Sequence, residues 1–286
     1  MLFRSEDWIA GARPKTLVAA IAPVMVGTAF AGYDAEVTNF LLALIVGLAL
    51  QVGVNYANDY SDGIKGTDNN RVGPIRLVGS GLAQPREVKL AAFISFGVAA
   101  LAGLILSART EWFLLLIGAL AIIAAWGYTG GKKPYGYLGL GELSVFIFFG
   151  LVATLGTYYV QVGSLSIEVA LAAIAMGLLA TAILIVNNLR DLERDAASGK
   201  RTLAVKLGAA KTRSLYRATL FLPLLISLLL LTTSLYFLIA LITLPQVIRA
   251  SRAVNSGALI ELLGKTGQIQ ITYSFALSLA SLLAAR

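Results

Sequence analysis

The chain is dominated by apolar runs of about 20 residues, each long enough to cross the roughly 30 Å hydrocarbon core of a bilayer as a helix. Hydrocarbon offers no partners to backbone polar groups, so a spanning segment must be a helix or belong to a closed barrel. The runs lack the short alternating pattern of barrel strands. With 58% hydrophobic and only 13% charged residues, compared with about 25% charged in soluble domains, the sequence predicts an all-α polytopic membrane protein.

The distribution of positive charge favours nine transmembrane helices in a single bundle, which would form one domain over residues 1–286. We place the spans at 14–32, 38–60, 88–107, 111–128, 138–160, 167–189, 215–232, 234–254 and 266–285. With the N-terminus in the cytoplasm, all but Arg109 and Arg286 of the 23 Lys and Arg residues fall on the cytoplasmic side, as the positive-inside rule requires. We therefore expect an integral membrane protein with its N-terminus in the cytoplasm and its C-terminus outside.

The residue types that the chain lacks restrict its chemistry. The sequence contains no Cys and no His, which excludes a thiolate nucleophile, a zinc–sulfur site and a histidine base. A bound metal must then be a hard ion with oxygen ligands, which points to Mg²⁺. The net charge of +8 is explained by topology and by attraction to the lipid bilayer. No nucleic-acid partner is expected, because no basic run is interleaved with aromatic residues.

Most of the aspartates are concentrated in two windows. The first, NYANDYSDGIKGTD at residues 55–68, ends the second span, and the second, NNLRDLERDAASGKRTLAV at residues 187–205, ends the sixth. Both windows fall at cytoplasmic helix ends, as matching positions of two pseudo-repeated units would. On a helix each window places one asparagine and two aspartates on a single face: Asn55, Asp59 and Asp62 in the first, and Asn187, Asp191 and Asp195 in the second.

Clustered carboxylates at a helix C-terminus are unfavourable alone, because they face each other and the negative end of the helix dipole. Divalent cations that bridge a bound polyanion would relieve the repulsion, and Lys and Arg residues follow each window. Carboxylates, Mg²⁺ and basic side chains together are typical of a site that holds a diphosphate. The alternative is that both windows are ordinary interfacial loops of mixed charge.

Four ordered blocks resemble the UbiA superfamily of membrane-embedded aromatic prenyltransferases, and in particular its menaquinone-pathway subgroup. They are GARPKTLVAAIAPVMVGTA at 11–29, the first window with RVGPIRLVGSGL at 71–82, YTGGKKPYGYLGLGELSVFIFFGLVA at 128–153, and NNLRDLERDAASGKRTLAVKLG at 187–208. The resemblance implies nine helices and Mg²⁺-dependent transfer of a polyprenyl group from polyprenyl diphosphate to 1,4-dihydroxy-2-naphthoate. Decarboxylation of the ring would then give demethylmenaquinone and diphosphate. The resemblance further implies a location in the cytoplasmic membrane of a bacterium, with the active site on the cytoplasmic side. Composition alone does not identify the acceptor.

The resemblance also implies roles for individual residues. We assign Mg²⁺ coordination to Asp59, Asp62, Asp191 and Asp195. Asp68 is a further catalytic candidate, either as a metal ligand or in activating the acceptor. The candidates for binding diphosphate are Asn55, Asn58, Lys65, Arg71, Arg76, Lys132, Lys133, Asn187, Asn188, Lys200 and Arg201. The candidates for contact with the acceptor are Arg13, Lys15, Tyr60 and Tyr128.

Three more charged residues lie near these candidates. Arg190 and Arg194 are beside the aspartates of the second window and are expected to pair with these neighbours. Glu142 is a rare carboxylate close to hydrocarbon. It is expected either to pair with Lys132 or Lys133, or to orient the acceptor.

Three other functions stay open at the level of sequence. A secondary transporter would place its charged residues near the bilayer midplane, whereas here they cluster at one face. A CDP-alcohol-type phosphotransferase would carry its aspartates in one extended motif on fewer helices. A sister prenyltransferase would act on 4-hydroxybenzoate, homogentisate or haem. The sequence gives neither the prenyl chain length nor the oligomeric state.

Overall fold

The computed structural model of the chain describes residues 5–66 and 76–285, and two candidate residues, Asp68 and Arg71, lie outside these ranges. The residues in these ranges are mostly helical, and no strand occurs among them. The principal helices are α1 (Ser5–Ala12), α2 (Val18–Phe30), α3 (Val37–Ile64), α4 (Pro85–Arg109), α5 (Leu114–Gly127), α6 (Gly141–Val162), α7 (Ile167–Arg190), α8 (Leu192–Ala197), α9 (Leu203–Thr232), α10 (Leu235–Ala253) and α11 (Leu259–Ala284).

The expected count of nine spans is not confirmed. Within the two described ranges, six helices are long and apolar enough to cross a membrane, namely α3, α4, α6, α7, α9 and α10. The segment Ser5–Thr16 and α2 meet at an angle of 51° and together could form a seventh span. Helix α5, with 14 residues, is short for a span, and α11 is not among the candidate spans. Each of the nine expected segments nevertheless overlaps one of these helices.

Two groups of helices, each with its own hydrophobic core, contribute residues to the lining of one cavity. In the first group, α3 and α4 bury Tyr56 and Phe96 in a shared core. In the second group, α7 packs against α9 and α11 and buries Met176 and Leu179. Large apolar side chains are also exposed on the outer surface, for example Leu90 at 61%. Soluble proteins rarely expose large apolar patches, so this surface suits contact with lipid.

Local sequence explains how the helices beside the cavity begin and pack. Helix α4 begins at Pro85, where the missing backbone N–H costs nothing, and the backbone N–H of Gln84 donates to Glu87 Oε2 at 2.9 Å. Helices α6 and α7 approach closely at two glycines. A Cβ atom on Gly150 would lie 2.4 Å from the Cα of Gly177, so only glycine fits there without movement of the backbone.

Candidate active site

The cavity that both groups of helices line has a volume of about 370 Å³. Its polar end contains Asp62 and Asp191, near the C-terminal ends of α3 and α7, and its other end is walled by apolar residues that include Ala43, Leu106 and Val160. Along α3 the lining runs from Ala43 to Asp62, about 28 Å at a rise of about 1.5 Å per residue. The shape suits an amphiphile with a charged head and a long apolar tail.

The two Asp windows meet at the polar end, as the shared topology predicted. Lys200 of the second window donates from Nζ to Asp62 Oδ1 of the first at 3.0 Å. A guanidinium nitrogen of Arg76 lies 3.6 Å from Asp62 Oδ2, and the Tyr137 hydroxyl donates to the same carboxylate. Asp62 is therefore the residue at which both windows and the Tyr135–Leu138 turn converge.

Asp59 has a different environment from Asp62. Its side chain is fully buried and accepts backbone N–H groups from Leu77 at 2.8 Å and Val78 at 3.0 Å. It is not among the residues that line the cavity. The Asp59 carboxylate thus anchors the segment that carries Arg76 to the end of α3, and its assignment to Mg²⁺ stays a prediction.

In the second window, Asp191 is held by two arginines. Arg190 donates to it from two nitrogens, at 2.8 and 2.7 Å, and Arg194 pairs with it at 2.8 Å. The expected pairing of both arginines with their neighbours is confirmed. Asp195 also lines the cavity and is 7% exposed. Burial raises the pKa of Asp195 to about 6, an effect that Lys200 opposes and Asp191 reinforces.

The carboxylates do not form a ready-made metal cluster. In the part of the chain that the structure describes, no three acidic side chains lie close enough together to hold a metal ion. Asp62, Asp191 and Asp195 do face one cavity. Their carboxylate oxygens are suitable ligands for an ion that takes its other ligands from water or from a bound anion.

All four candidate asparagines line the cavity, but each also has a partner in the protein. In the first window, Asn55 donates from Nδ2 to the carbonyl of Ala12 at 2.8 Å and to the Thr16 hydroxyl at 3.1 Å. Asn58 accepts from the Thr129 hydroxyl at 2.7 Å. These two side chains therefore tie α3 to the α1–α2 connection and to the end of α5.

The asparagines of the second window are fixed in a similar way. Asn187 accepts from Arg190 at 2.8 Å, and Asn188 donates from Nδ2 to Glu142 Oε1 at 2.9 Å. Glu142 thus contacts Asn188 rather than Lys132 or Lys133, both of which are exposed.

The candidate basic residues divide into two sets. Arg76 and Lys200 line the cavity. Lys65 does not, and its Nζ donates to the carbonyl of Thr129 at 2.9 Å. The tight turn at Gly131, with φ of 77°, precedes a pair of exposed lysines. The basic candidates outside the cavity lining are Lys65, Lys132, Lys133 and Arg201.

The four acceptor candidates divide in the same way. Arg13 and Tyr128 line the cavity, whereas Lys15 and Tyr60 do not. Tyr60 instead stacks on Trp126, with the ring centroids 6.1 Å apart. Among the described residues, Arg13 is the one non-glycine residue with positive φ, at 53°. Such backbone strain is often found at functional sites.

Several polar residues of the site were not predicted. Tyr137, Thr129 and Thr16 line the cavity and contact Asp62, Asn58 and Asn55, respectively. Tyr137 lies in the block at 128–153, two residues after Tyr135. An interfacial tyrosine is common in membrane proteins, so residue type alone gave no signal for it.

The fold and the site together define a class of protein: a helical membrane protein whose cavity, polar at one end and apolar along its walls, suits a lipid with an anionic head group. A profile of the UbiA prenyltransferase family matches residues 20–255. The chain belongs to this family and is a membrane prenyltransferase, as the sequence blocks predicted.

Relatives and solved structures agree with this assignment. The chain is 48% identical over 280 residues to a 1,4-dihydroxy-2-naphthoate octaprenyltransferase of Mycobacterium tuberculosis, covering 95% of each chain. The apo structure of a UbiA homolog from Aeropyrum pernix superposes with a TM-score of 0.75 over 92% of this chain and 97% of that chain, at 16% identity. A UbiA homolog from Archaeoglobus fulgidus, solved with DMAPP and Mg²⁺, gives a TM-score of 0.69 over 95% and 98%, at 16% identity. At such identities the structural likeness supports the fold alone.

Proposed function

We propose that the protein transfers a polyprenyl group from polyprenyl diphosphate to 1,4-dihydroxy-2-naphthoate, releasing diphosphate and CO₂. The product is the quinol form of demethylmenaquinone, which oxidation converts to the quinone. The observation that carries the proposal is the meeting of Asp62 and Lys200 at the polar end of a deep apolar cavity. Family membership supports prenyl transfer, and the name of the M. tuberculosis relative supports this acceptor.

The reaction needs no covalent nucleophile from the protein. The bond between the allylic carbon of the donor and a diphosphate oxygen breaks, and its electron pair leaves with the diphosphate. The ring carbon that bears the carboxylate attacks the allylic carbon, and loss of CO₂ then returns an electron pair to the ring. Lys200 and Arg76 offset the negative charge that grows on the leaving group. The apolar walls exclude water, which would otherwise capture the allylic cation.

The polar end fits Mg²⁺. Its donors are carboxylate oxygens, and Mg²⁺ in proteins is usually held by one or two carboxylates together with substrate phosphates and water. A cavity with separated carboxylates therefore suits an ion that arrives with the diphosphate. Asp62, Asp191 and Asp195 would hold it, with Asp59 as a further candidate. The bound ion would neutralise charge on the leaving diphosphate.

The remaining assignments also belong to the proposal. We infer that residues 1–286 form one transmembrane domain in the cytoplasmic membrane of a bacterium, with the N-terminus inside and the C-terminus outside. The positive charge of the connections on one side supports this orientation. It would place the polar end of the cavity on the cytoplasmic side, where a water-soluble naphthoate can enter.

The test supplies the purified chain in lipid nanodiscs with 1,4-dihydroxy-2-naphthoate, polyprenyl diphosphate and Mg²⁺, and measures product by mass spectrometry. Product is expected with Mg²⁺ and not with a chelator. Parallel reactions with 4-hydroxybenzoate and homogentisate test the acceptor. Asp191→Ala should abolish turnover without loss of folded protein, whereas Glu168→Ala, at the opposite end of the same helix, should not affect it. Turnover by Asp191→Ala at the wild-type rate would contradict the site assignment, and turnover with another acceptor alone would contradict the substrate.

A further inference from the structure

Glu142 is a carboxylate that the proposed reaction does not use directly. It lies in the first turn of α6 and is 6% exposed. Oε1 accepts the hydrogen bond from Asn188, and Oε2 has no hydrogen-bond partner among the described residues. A buried polar atom without a partner is costly, so this carboxylate must contribute something that an apolar side chain would not.

The position of Glu142 excludes direct contact with a substrate in the cavity. Glu142 does not line the cavity, whereas its partner Asn188 does. Asn188 also lies one helical turn before Asp191, so the two side chains project from the same face of α7. Among the described residues, the hydrogen bond to Asn188 is the side-chain hydrogen bond that joins the Glu142 carboxylate to the cavity lining.

The chemistry of the pair determines which end of that amide faces the cavity. A carboxylate only accepts hydrogen bonds, whereas an amide carries a donor end and an acceptor end. Glu142 therefore takes the nitrogen of Asn188 and leaves Oδ1 as the group that Asn188 offers to the cavity. An oxygen there adds to the ligands that suit a hard cation, whereas an NH₂ group there would repel it.

We propose that Glu142 is a positioning residue, which orients the Asn188 amide so that its oxygen faces the bound Mg²⁺–diphosphate. The inference rests on the proposed function, because it assumes that this ligand occupies the polar end of the cavity. It also explains why residue 142 is a glutamate. A glutamine of the same shape could donate as well as accept, and both orientations of Asn188 would then be satisfied.

A nearby residue provides a matched control. The Thr181 hydroxyl donates to the backbone carbonyl of Glu142 at 3.4 Å. Thr181→Val changes the same contact between α6 and α7 but leaves the Glu142 carboxylate and the Asn188 amide in place. A defect that comes only from looser helix packing should therefore appear in Thr181→Val as well.

The experiment measures the affinity of the full chain in nanodiscs for inorganic diphosphate in the presence of Mg²⁺ by calorimetry, with thermal unfolding recorded in parallel. Loss of a residue that orients a metal ligand typically weakens metal binding about 10–100-fold, and we expect a loss of this size for Glu142→Leu. Glu142→Gln should bind more weakly than wild type but better than Glu142→Leu, because it can still accept from Asn188. Thr181→Val should bind as wild type does.

The outcomes separate this inference from the proposed function. If wild-type protein does not bind Mg²⁺–diphosphate, the proposed function fails and this inference fails with it. If wild-type protein binds Mg²⁺–diphosphate and both Glu142 variants bind it as tightly as wild type does, only the positioning role is overturned. If Glu142→Leu does not fold, Glu142→Gln decides: weaker binding than Thr181→Val supports the positioning role, and equal binding refutes it.

Discussion

Replacement of Asp59 by Asn tests whether this carboxylate holds the backbone in place. Both of its oxygens accept buried backbone N–H groups, from Leu77 and Val78, and a hydrogen bond to a charged group contributes about 1.5–3 kcal/mol. An asparagine has a single acceptor oxygen and turns an NH₂ group toward the second N–H. One bond is lost and one donor is left without a partner. We therefore expect local opening of the backbone around Leu77 and Val78 to become easier by about 3 kcal/mol.

Hydrogen exchange at the two amides measures this change directly. Because about 1.4 kcal/mol corresponds to a tenfold change in an equilibrium constant, the Leu77 and Val78 amides should exchange roughly a hundredfold faster in Asp59→Asn. Asp191→Asn is the control, since Asp191 is held by arginine side chains and not by these amides. Prenyl transfer should also fall in Asp59→Asn, because Arg76 would no longer be held beside Asp62.

The opposite pattern would refute the reasoning. If Asp59→Asn leaves exchange at Leu77 and Val78 unchanged and removes Mg²⁺-dependent binding of diphosphate, the carboxylate is a metal ligand and does not anchor this segment.

Two further substitutions test the cavity and the packing. Gly118 lines the cavity and has open space around it, about 15 Å along α5 from Tyr128 at about 1.5 Å per residue. Gly118→Leu should retain turnover of geranyl diphosphate and lose turnover of octaprenyl diphosphate. Gly97→Leu, outside the cavity lining, should retain turnover of both donors. Equal effects of Gly118→Leu on the two donors would show that the tail does not extend past residue 118. A methyl group on Gly150 would overlap the backbone of α7, and overpacking costs about 1–3 kcal/mol, so Gly150→Ala should unfold at lower temperature. Gly156→Ala, where no atom lies within 4 Å, should unfold as wild type does, and the same melting temperature for both variants would contradict the close approach of α6 and α7.

The convergence of the two Asp windows could be predicted from sequence, because it follows from simple topology. Even-numbered spans end on the same side of the membrane, so residues 55–68 and 187–205 had to share one face of the bundle. The helices also agree with the expected segments, since apolar runs of about 20 residues have few other structures open to them. The number of spans does not follow from apolar runs alone, because the run at 111–128 forms a helix, α5, of only 14 residues.

The partners of individual side chains could not be predicted, because they come from distant parts of the chain. Asp59 and Asp62 share one helical face, yet one meets the backbone N–H groups at 77–78 and the other meets Lys200. Likewise, exposure of Lys132 and Lys133 depends on the path of a turn that residue type does not determine. The sequence marked Glu142 only as a carboxylate in an unusually apolar segment. Its contact with Asn188 depends on how α6 packs on α7, which the sequence does not give.

The ion pair between Asp62 and Lys200 affects how ligands enter the polar end. Before any ligand arrives, the negative charge of one window is already balanced by the positive charge of the other. A lone cation must displace the ammonium group from the carboxylate, and a lone anion must attract the ammonium away and leave the carboxylate bare. When a cation and an anion bind together, the cation pairs with the carboxylate and the anion pairs with the ammonium group, so neither protein group loses its partner. The binding free energies of the cation and the anion are therefore coupled, and each ligand raises the affinity of the protein for the other by the same factor.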